Sequence, residues 1–277
     1  MEDLDDLKTS WKLAQLSLKE RVLPVDTEPW QAEDVPRSPW KRSTASSEER
    51  HFAIHNIMDD AVPLSSLGLV AGVDISFDCT NTNKASVALV VVQLPGLEPA
   101  YKSCRPVTMC QPYVPGFLAF REVDFIVESV NILRGSHPEL YPQVVLVDGN
   151  GILHPERLGM ASHLGVLLDL PCVGVGKNLY CTDGLLRDDR HKLQITAMRD
   201  RGDFFFLYGA DTEEVLGAAL KSTENSTKPV YVSVGHRCTL RTALRVVNAC
   251  SKFRVPEPIR LADIYSREYL RDSGNVA

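Results

Sequence analysis

The sequence predicts an α/β fold in which a mixed central sheet, an antiparallel meander followed by parallel strands, is flanked by helices. Apolar runs at residues 69–77, 85–92 and 100–107 are separated by short turn-forming clusters, which is typical of an antiparallel meander. Two further strand-like runs, at 144–147 and 172–177, are separated by a helical stretch of the length that a parallel crossover needs. The chain therefore changes from antiparallel to parallel strands near its middle.

The composition limits the class of protein. With 277 residues and 44% hydrophobic content the chain can bury a full core, and we expect one large domain. The formal net charge of −6 argues against a non-specific nucleic-acid binder, which relies on a broad basic surface, so any nucleic-acid site must be local. The seven cysteines include no Cys-x-x-Cys pair, and no apolar run reaches the roughly 20 residues of a membrane span. We expect a monomer of the cytoplasm or nucleus, the nucleolus included, without a membrane partner.

The N-terminal region differs in composition from the rest. Within residues 1–32, apolar side chains spaced by three and four predict an amphipathic helix, at 3–23, that packs on the core. Residues 33–66 are rich in Pro, Ser, Lys, Arg and Glu, which predicts a low-complexity, largely disordered insertion. The folded core then spans 67–272, with a short tail at 273–277.

The first strand of the meander contains an acidic residue. Asp74 lies between Val73 and Ile75, where an unpaired ionised carboxylate would cost several kcal/mol if buried. Asp74 therefore needs a metal ion or a charged partner, or it points to solvent on the strand face that it shares with Gly72 and Ser76.

A rigid aromatic loop is predicted at residues 111–116. Pro112 and Pro115 restrict the backbone on both sides of Tyr113 and Val114. The loop ends where a helix begins.

That helix, at residues 117–133, is apolar on one side, and Glu122 falls on the apolar side. A glutamate at the margin of an apolar face usually reaches water, so on its own Glu122 is more often structural than catalytic.

The first parallel strand ends in a carboxylate. Asp148 is followed by Gly149, Asn150 and Gly151, and then by His154. By itself this is a turn, because such residues tolerate positive φ at little cost. In open α/β sheets, however, ligands bind at the carboxyl ends of the strands, which makes the same segment a candidate site.

The second parallel strand ends in Lys177, on the same sheet edge as Asp148. The remaining predicted elements are a helix at 157–170, a β pair at 214–221 and 230–234, and helices at 240–252 and 259–271. Three antiparallel strands, a helix, a parallel strand, a helix and another parallel strand follow the order of the ribonuclease H-like α/β fold.

Three carboxylates thus come from three elements, namely Asp74, Glu122 and Asp148. A cluster of oxygen ligands suits Mg²⁺, which in phosphodiester cleavage activates water and stabilises the leaving oxygen. Lys177 and His154 could offset charge on the phosphate or assist proton transfer.

The sequence resembles the endonuclease V family over nearly all of residues 69–271. The motifs that carry the resemblance are GVDISF at 72–77, PYVPGFLAFRE at 112–122, VDGNG at 147–151, ASHLG at 161–165 and GVGK at 174–177. The resemblance is greatest to animal members, through VGHR at 234–237 and FRVPEPIRLAD at 253–263.

This resemblance implies an endonuclease that uses Mg²⁺, with Mn²⁺ as a substitute, recognises inosine or deoxyinosine, and cuts the second phosphodiester bond on its 3′ side. The implied catalytic residues are Asp74, Glu122, Asp148, Lys177 and His154. The implied metal ligands are Asp74 and Asp148, with Glu122 and Asp263 as further candidates. The implied substrate contacts are Tyr113 with Pro112, Val114 and Pro115 as a strand-separating wedge, Gly149, Asn150 and Gly151 as the base pocket, and His236.

Three functions remain open. The first is an endoribonuclease acting on inosine in single-stranded RNA, which the resemblance to animal members implies. The second is a deoxyinosine-specific DNA repair nuclease, and the third is a catalytically silent protein that binds inosine-containing RNA. Retention of Asp74, Glu122, Asp148 and Lys177 favours the enzymes, whereas a single contact with a 2′-hydroxyl would suffice to separate RNA from DNA.

Overall fold

The computed structural model describes residues 4–31, 52–60, 64 and 66–274, and these form a nine-stranded mixed sheet with helices on both faces. The strands are β1 His55–Asn56, β2 Leu69–Phe77, β3 Lys84–Gln93, β4 Glu98–Thr108, β5 Val144–Asp148, β6 Cys172–Gly176, β7 Asp203–Tyr208, β8 Val215–Leu220 and β9 Val230–His236. The α-helices are α1 Leu4–Lys19, α2 Leu118–Ser136, α3 Met160–Leu168, α4 Asp189–Ala197, α5 Leu240–Ala249 and α6 Glu257–Gly274. Short 3₁₀ turns cover Pro29–Gln31, Ile57–Asp60 and Pro138–Leu140.

The strand order across the sheet is β1-β7-β8-β9-β6-β5-β2-β3-β4. Strands β2, β5 and β6 are parallel, while β2 to β4 form an antiparallel meander, which confirms the predicted mixed α/β sheet. Strand β9 runs antiparallel to β6. The carboxyl ends of β2, β5 and β6 therefore meet at one edge of the sheet, and the carboxyl end of β9 lies at the opposite edge.

Two helical layers cover the sheet, one on each face. Successive side chains of β2 point to opposite faces, so each can be assigned to one of the two layers. Val70 packs in the cluster that contains α5 and α6, whereas Ala71 and Val73 pack in the cluster that contains α2 and α3. Asp74 therefore faces α6. At Gly72, on the same face, an added Cβ would lie 2.2 Å from the carbonyl carbon of Pro258, so only glycine lets α6 approach β2 this closely.

Helix α1 packs on the start of α2 through Trp11. Its indole stacks on Phe120 with ring centroids 5.4 Å apart, and the Gln15 amide donates a hydrogen bond to the Gly116 carbonyl oxygen at 3.2 Å. The N-terminal helix thereby supports the segment that joins the aromatic loop to α2.

The structure differs from the prediction in several elements. Residues 52–60 of the predicted disordered insertion are ordered, because β1 pairs with β7 and Ile57 is buried; residues 33–51, 61–63 and 65 lie outside the described residues. The helix predicted at 157–170 begins only at Met160, since Arg157 has a φ of 56°, which no helix accommodates. Strand β7 and helix α4 were not predicted.

The predicted tail, 273–277, begins inside α6, and its last three residues lie outside the described part of the chain. None of the helices that the structure describes has both the length and the apolar character needed to cross a membrane.

Candidate active site

The register of the parallel strands brings three predicted site residues to one edge of the sheet. Val73 pairs with Val147, so Asp74 and Asp148 follow side by side on β2 and β5. Asp148 in turn pairs with Val175 of β6, and Lys177 follows two residues later. Helix α2 adds Glu122 and helix α6 adds Asp263. We call Asp74, Glu122, Asp148, Lys177 and Asp263 the carboxylate edge.

Lys177 lies between two of these carboxylates. Its Nζ is 2.6 Å from Asp148 Oδ2 and 3.7 Å from Asp263 Oδ1. Burial lowers the pKa of Lys177, but the hydrogen bond and charge of Asp148 and the charges of Asp263 and Asp74 outweigh burial, so the pKa is raised. Lys177 therefore stays protonated and supplies a fixed positive charge.

Asp74 is partly buried and has hydroxyl partners. Ser266 of α6 donates a hydrogen bond to Asp74 Oδ2 at 2.9 Å, and Ser266 Oγ lies 2.7 Å from Ser76 Oγ. Burial and the charge of Asp148 raise the pKa of Asp74 to about 6, although the Ser266 hydrogen bond acts in the opposite direction. Asp74 therefore does not point freely to solvent, and its ionised form is destabilised.

Glu122 is buried, with 8% of its surface exposed. Burial and the charge of Asp74 raise the pKa of Glu122 to about 7. Glu122 therefore lies on the buried face of α2, as helical spacing predicts, and the charge of Asp74 acts on it there.

The donor set of the carboxylate edge fits a hard divalent cation. Its carboxylate oxygens are the ligands that Mg²⁺ prefers, and two of the carboxyl groups have pKa values raised in part by mutual repulsion, which a cation would relieve. Within the described ranges, no three His, Cys, Asp or Glu side chains already stand in a ligating arrangement. The Lys177 ammonium group instead separates Asp148 from Asp263.

The glycine loop, which we define as Gly149 to Gly151, is clamped onto β6 and β9. The Gly149 N–H donates to the Val175 carbonyl oxygen at 3.3 Å, and the Gly151 N–H donates to Ser233 Oγ at 2.8 Å. An added Cβ on Gly151 would lie 1.9 Å from the Val234 carbonyl oxygen, so no larger residue fits there.

Asn150 contributes a polar group to this loop. Its Oδ1 is buried and accepts no hydrogen bond from the part of the chain that the structure describes. Such an orphaned acceptor is a candidate for receiving a hydrogen bond from a ligand.

The aromatic loop ahead of α2 presents Tyr113 to solvent, with 65% of its surface exposed. Val114 is buried and anchors the loop, and its carbonyl oxygen accepts from the Phe117 N–H at 3.0 Å. Pro112 and Pro115 are both exposed. A stiff loop thus carries an aromatic ring away from the protein.

His154 is buried, and the contacts described for it do not reach the carboxylate edge. Its Nδ1 accepts from the Glu156 N–H at 3.3 Å, and its ring centroid is 5.7 Å from that of Tyr180. Burial lowers the pKa of His154 to about 4, so it is neutral at pH 7 and cannot offset negative charge. It can still donate a hydrogen bond through Nε2.

The structure places His236 outside the candidate site, which corrects the predicted substrate contact. His236 ends β9 and pairs with Cys172 at the beginning of β6, so it lies at the edge opposite Asp148. Its Nδ1 accepts from the Leu23 N–H at 3.2 Å, so its described contacts fix the N-terminal segment.

Two site residues were missed in the sequence. Ser266 bonds to Asp74 across 192 residues of sequence, and no local pattern indicates that contact. Arg267 pairs with Asp263 at 2.7 Å, and the spacing of four in a predicted helix would have indicated this pair.

Asp74 and Asp148 on neighbouring parallel strands, with Lys177 after the next strand, form a set of groups that suits a hydrolase acting on phosphodiesters with a divalent cation. The comparisons with known proteins give the family. The endonuclease V family model matches residues 53–264. Human endonuclease V is 46% identical over 263 residues, which are 95% of this chain and 83% of the human protein.

Solved structures lead to the same family. The crystal structure of the catalytic domain of human endonuclease V matches with a TM-score of 0.86 and 45% identity, over 99% of this chain and 100% of that one. Endonuclease V of Ciona intestinalis, in complex with DNA containing an inosine followed by a ribo-adenosine, matches with a TM-score of 0.79 and 29% identity, over 98% and 99% of the two chains. The chain belongs to the endonuclease V family, and it is a metal-dependent phosphodiester hydrolase with the predicted ribonuclease H-like fold.

Proposed function

We propose that this protein is a magnesium-dependent endoribonuclease that recognises inosine in single-stranded RNA and cuts the second phosphodiester bond on its 3′ side. The observation that carries the proposal is the carboxylate edge lying next to the glycine loop: Asp148 belongs to the edge and is followed at once by Gly149. Recognition of a base and cleavage of the strand a short distance away are thereby combined in one segment.

The carboxylate edge supports the chemistry. When bound by Asp74 and Asp148 with Glu122 and Asp263, Mg²⁺, or Mn²⁺ in its place, would supply Lewis-acid stabilisation of the leaving oxygen. Lys177 is held protonated beside Asp148 and can contact a phosphate oxygen as negative charge develops on it.

The glycine loop and Tyr113 support base recognition. Gly149 and Gly151 let the loop pack closely on β6 and β9, and the Asn150 Oδ1 acceptor is buried between them. Hypoxanthine bears an N–H on its Watson–Crick edge, and this group can donate a hydrogen bond to such an acceptor. Exposed Tyr113 can stack where the base was, and stacking is worth about 1–3 kcal/mol per base.

RNA is the proposed substrate because the resemblance to animal members points to it. The Ciona intestinalis complex, in which a ribonucleotide follows the inosine, supports a ribose on the 3′ side of the base. The same complex contains DNA, which keeps cleavage of deoxyinosine-containing DNA as the second candidate.

The test uses four matched single-stranded oligonucleotides. Two are RNAs, one with a single inosine and one with adenosine at that position, and two are DNAs, one with a single deoxyinosine and one with deoxyadenosine. Initial rates are measured with magnesium and again with excess chelator. We expect the inosine RNA to be cut fastest, at the second bond 3′ to the inosine, and only with magnesium.

Faster cutting of the deoxyinosine DNA would reverse the ranking of the two substrates. Binding of the inosine RNA without any cutting, at any magnesium concentration, would establish the silent binding protein instead. Equal cutting of the adenosine control would contradict base recognition.

A further inference from the structure

A groove of about 880 Å³ opens beside the carboxylate edge, on the side away from the glycine loop. One wall is the turn after β2, which begins at Phe77 and continues through Asp78, Cys79 and Thr80. The other wall is the last part of α6, formed by Asp263, Ile264, Arg267, Leu270 and Arg271. We call this cavity the α6 groove, and it starts at Asp263, a member of the carboxylate edge.

Helix α6 lines the groove with a regular row of charges. Asp263, Arg267 and Arg271 are spaced by four, so they lie on one helix face about 6 Å apart along the axis. Arg267 pairs with Asp263. Arg271 is exposed, and among the described residues it forms no ion pair. Positive charge therefore increases with distance from the carboxylate edge.

The opposite wall adds an apolar surface and a carboxylate, Asp78, that already accepts hydrogen bonds within its own turn. Phe77 is 38% exposed, and the Arg121 guanidinium covers its ring at 5.5 Å from the centroid. Asp78 Oδ1 accepts from Thr80 N and Thr80 Oγ1 at 2.7 and 2.6 Å, so this carboxylate is used within its own turn. Arginines above an apolar floor suit a chain of phosphates and sugars.

The strand order gives the direction of a bound nucleic acid. The glycine loop is fixed to β6 and β9, Asp148 ends β5, Asp74 lies on β2, and the groove begins at the turn between β2 and β3. Because neighbouring strands are about 5 Å apart, these features follow one another in a line across the sheet. A strand with its base in the glycine loop and its scissile bond at Asp148 and Asp74 is directed into the α6 groove.

We propose that the α6 groove binds the sugar–phosphate backbone of the RNA on the 3′ side of the cut, with Arg267 and Arg271 contacting its phosphates. The inference rests on the proposed function, because the polarity follows from a base in the glycine loop and a cut 3′ to it. The groove lining holds two aspartates and two arginines, so the attraction for phosphate comes mainly from Arg271, which pairs with no described residue, and not from a net positive surface.

The test compares single-stranded inosine RNAs that differ only at their ends. One ends just past the scissile bond, one is extended by several nucleotides on the 3′ side, and one carries the same extension on the 5′ side. Values of kcat/KM are measured at several salt concentrations for the unmodified protein, Arg271→Ala and Arg271→Lys. Arg199→Ala, which removes an exposed arginine between α4 and β7, is the matched control.

We expect the 3′ extension to raise kcat/KM for the unmodified protein. Arg271→Ala should lose about two- to fivefold on the 3′-extended RNA, the worth of one exposed ion pair. The slope of log(kcat/KM) against log salt should become shallower by about 0.7, as for one lost phosphate contact. Arg271→Lys should recover most of the loss, and Arg199→Ala should behave as the unmodified protein.

A loss on Arg271→Ala that is equal for all three RNAs, or that follows the 5′ extension, would overturn the groove assignment while inosine cleavage stands. No benefit from the 3′ extension, with no effect of Arg271→Ala, would overturn it as well. Failure of the unmodified protein to cut any of the three RNAs would overturn the proposed function, and the groove assignment with it.

Discussion

The two edges of the central sheet are both charged, but their charges are balanced differently. At the opposite edge, beyond the end of β9, Arg237 bonds to Thr27 Oγ1 at 2.8 Å and to the Asp169 carbonyl oxygen at 2.7 Å, and it pairs with Glu28 at 2.5 Å. Asp26 nearby accepts from the Thr239 N–H and hydroxyl and from the Thr242 hydroxyl. Arg237 and Asp26 therefore each have partners of complementary charge or hydrogen-bonding character.

At the carboxylate edge the negative charges outnumber the positive charges. Four carboxylates have Lys177 and Arg267 as their ion-pair partners among the described residues, and the charge of Arg121 also acts on Glu122. Burial together with repulsion from neighbouring carboxylates still raises the pKa of Asp74 and of Glu122. Such an excess of buried negative charge destabilises the folded state, and it is found where a ligand supplies the missing charge. The opposite edge therefore stabilises the fold, whereas the carboxylate edge is arranged for function.

Asp148→Asn should have the largest effect. It removes a charge from the carboxylate edge at nearly constant volume, so cleavage of inosine RNA should fall by about 10²- to 10⁴-fold. The folded state should not be destabilised in the same proportion, because the lost ion pair with Lys177 is offset by the removal of a like charge beside Asp74. Cleavage rates and thermal unfolding of the same preparation check both parts. Normal cutting by this variant would remove Asp148 from the site.

Glu122→Gln should change the pH dependence of stability. The pKa of Glu122 in the folded state, about 7, is above the ordinary value of 4.5, so between these values the folded protein keeps a proton that the unfolded chain has released. Stability from this group is therefore present at low pH and is lost as pH rises through that window. Glutamine does not ionise, so the variant should gain about 1–3 kcal/mol relative to the unmodified protein on going from about pH 5 to about pH 8.

Urea unfolding in the presence of chelator measures this difference. Asp124→Asn, which removes an exposed carboxylate from the same helix, is the control. A free energy of unfolding that changes with pH in parallel for Glu122→Gln and the unmodified protein would contradict the assignment of the buried charge.

Arg237→Ala tests the opposite edge. It removes the hydrogen bonds to Thr27 and Asp169 and the ion pair with Glu28, and should lower the free energy of unfolding by about 1–2 kcal/mol. Cleavage per folded molecule should stay near that of the unmodified protein. Arg237→Lys keeps the charge but not the planar geometry, so it should recover only part of the stability. A loss of cleavage as large as that of Asp148→Asn would show that the two edges are not separate.

The sequence was sufficient where a local pattern decides the structure. Apolar runs predict β2, β3 and β4, and the parallel order of β5 and β6 places Asp148 and Lys177 on one edge, where they are 2.6 Å apart. The sequence was also sufficient to predict that Glu122 lies on the apolar face of α2, because helical spacing alone determines that face.

The sequence was insufficient where segments that are far apart along the chain come into contact. Nothing near Asp74 in the sequence points to Ser266, since that contact exists only because Gly72 lets α6 cross β2 closely. The predicted place of His236 was wrong because β9 runs antiparallel to β6 and carries its last residue to the opposite edge. Strand β7, by contrast, has a clear local signal in Phe204, Phe205 and Phe206 that was overlooked.

The most direct test of the carboxylate edge is a magnesium titration of chelator-treated protein, with the unfolding temperature and the cleavage of inosine RNA followed in parallel. We expect both quantities to rise with the same half-saturation in the unmodified protein, because one bound cation restores the charge balance and supports cleavage. Asp148→Asn should show neither rise. Full cleavage in chelator, or an equal rise of unfolding temperature in Asp148→Asn, would contradict a metal site built on these carboxylates.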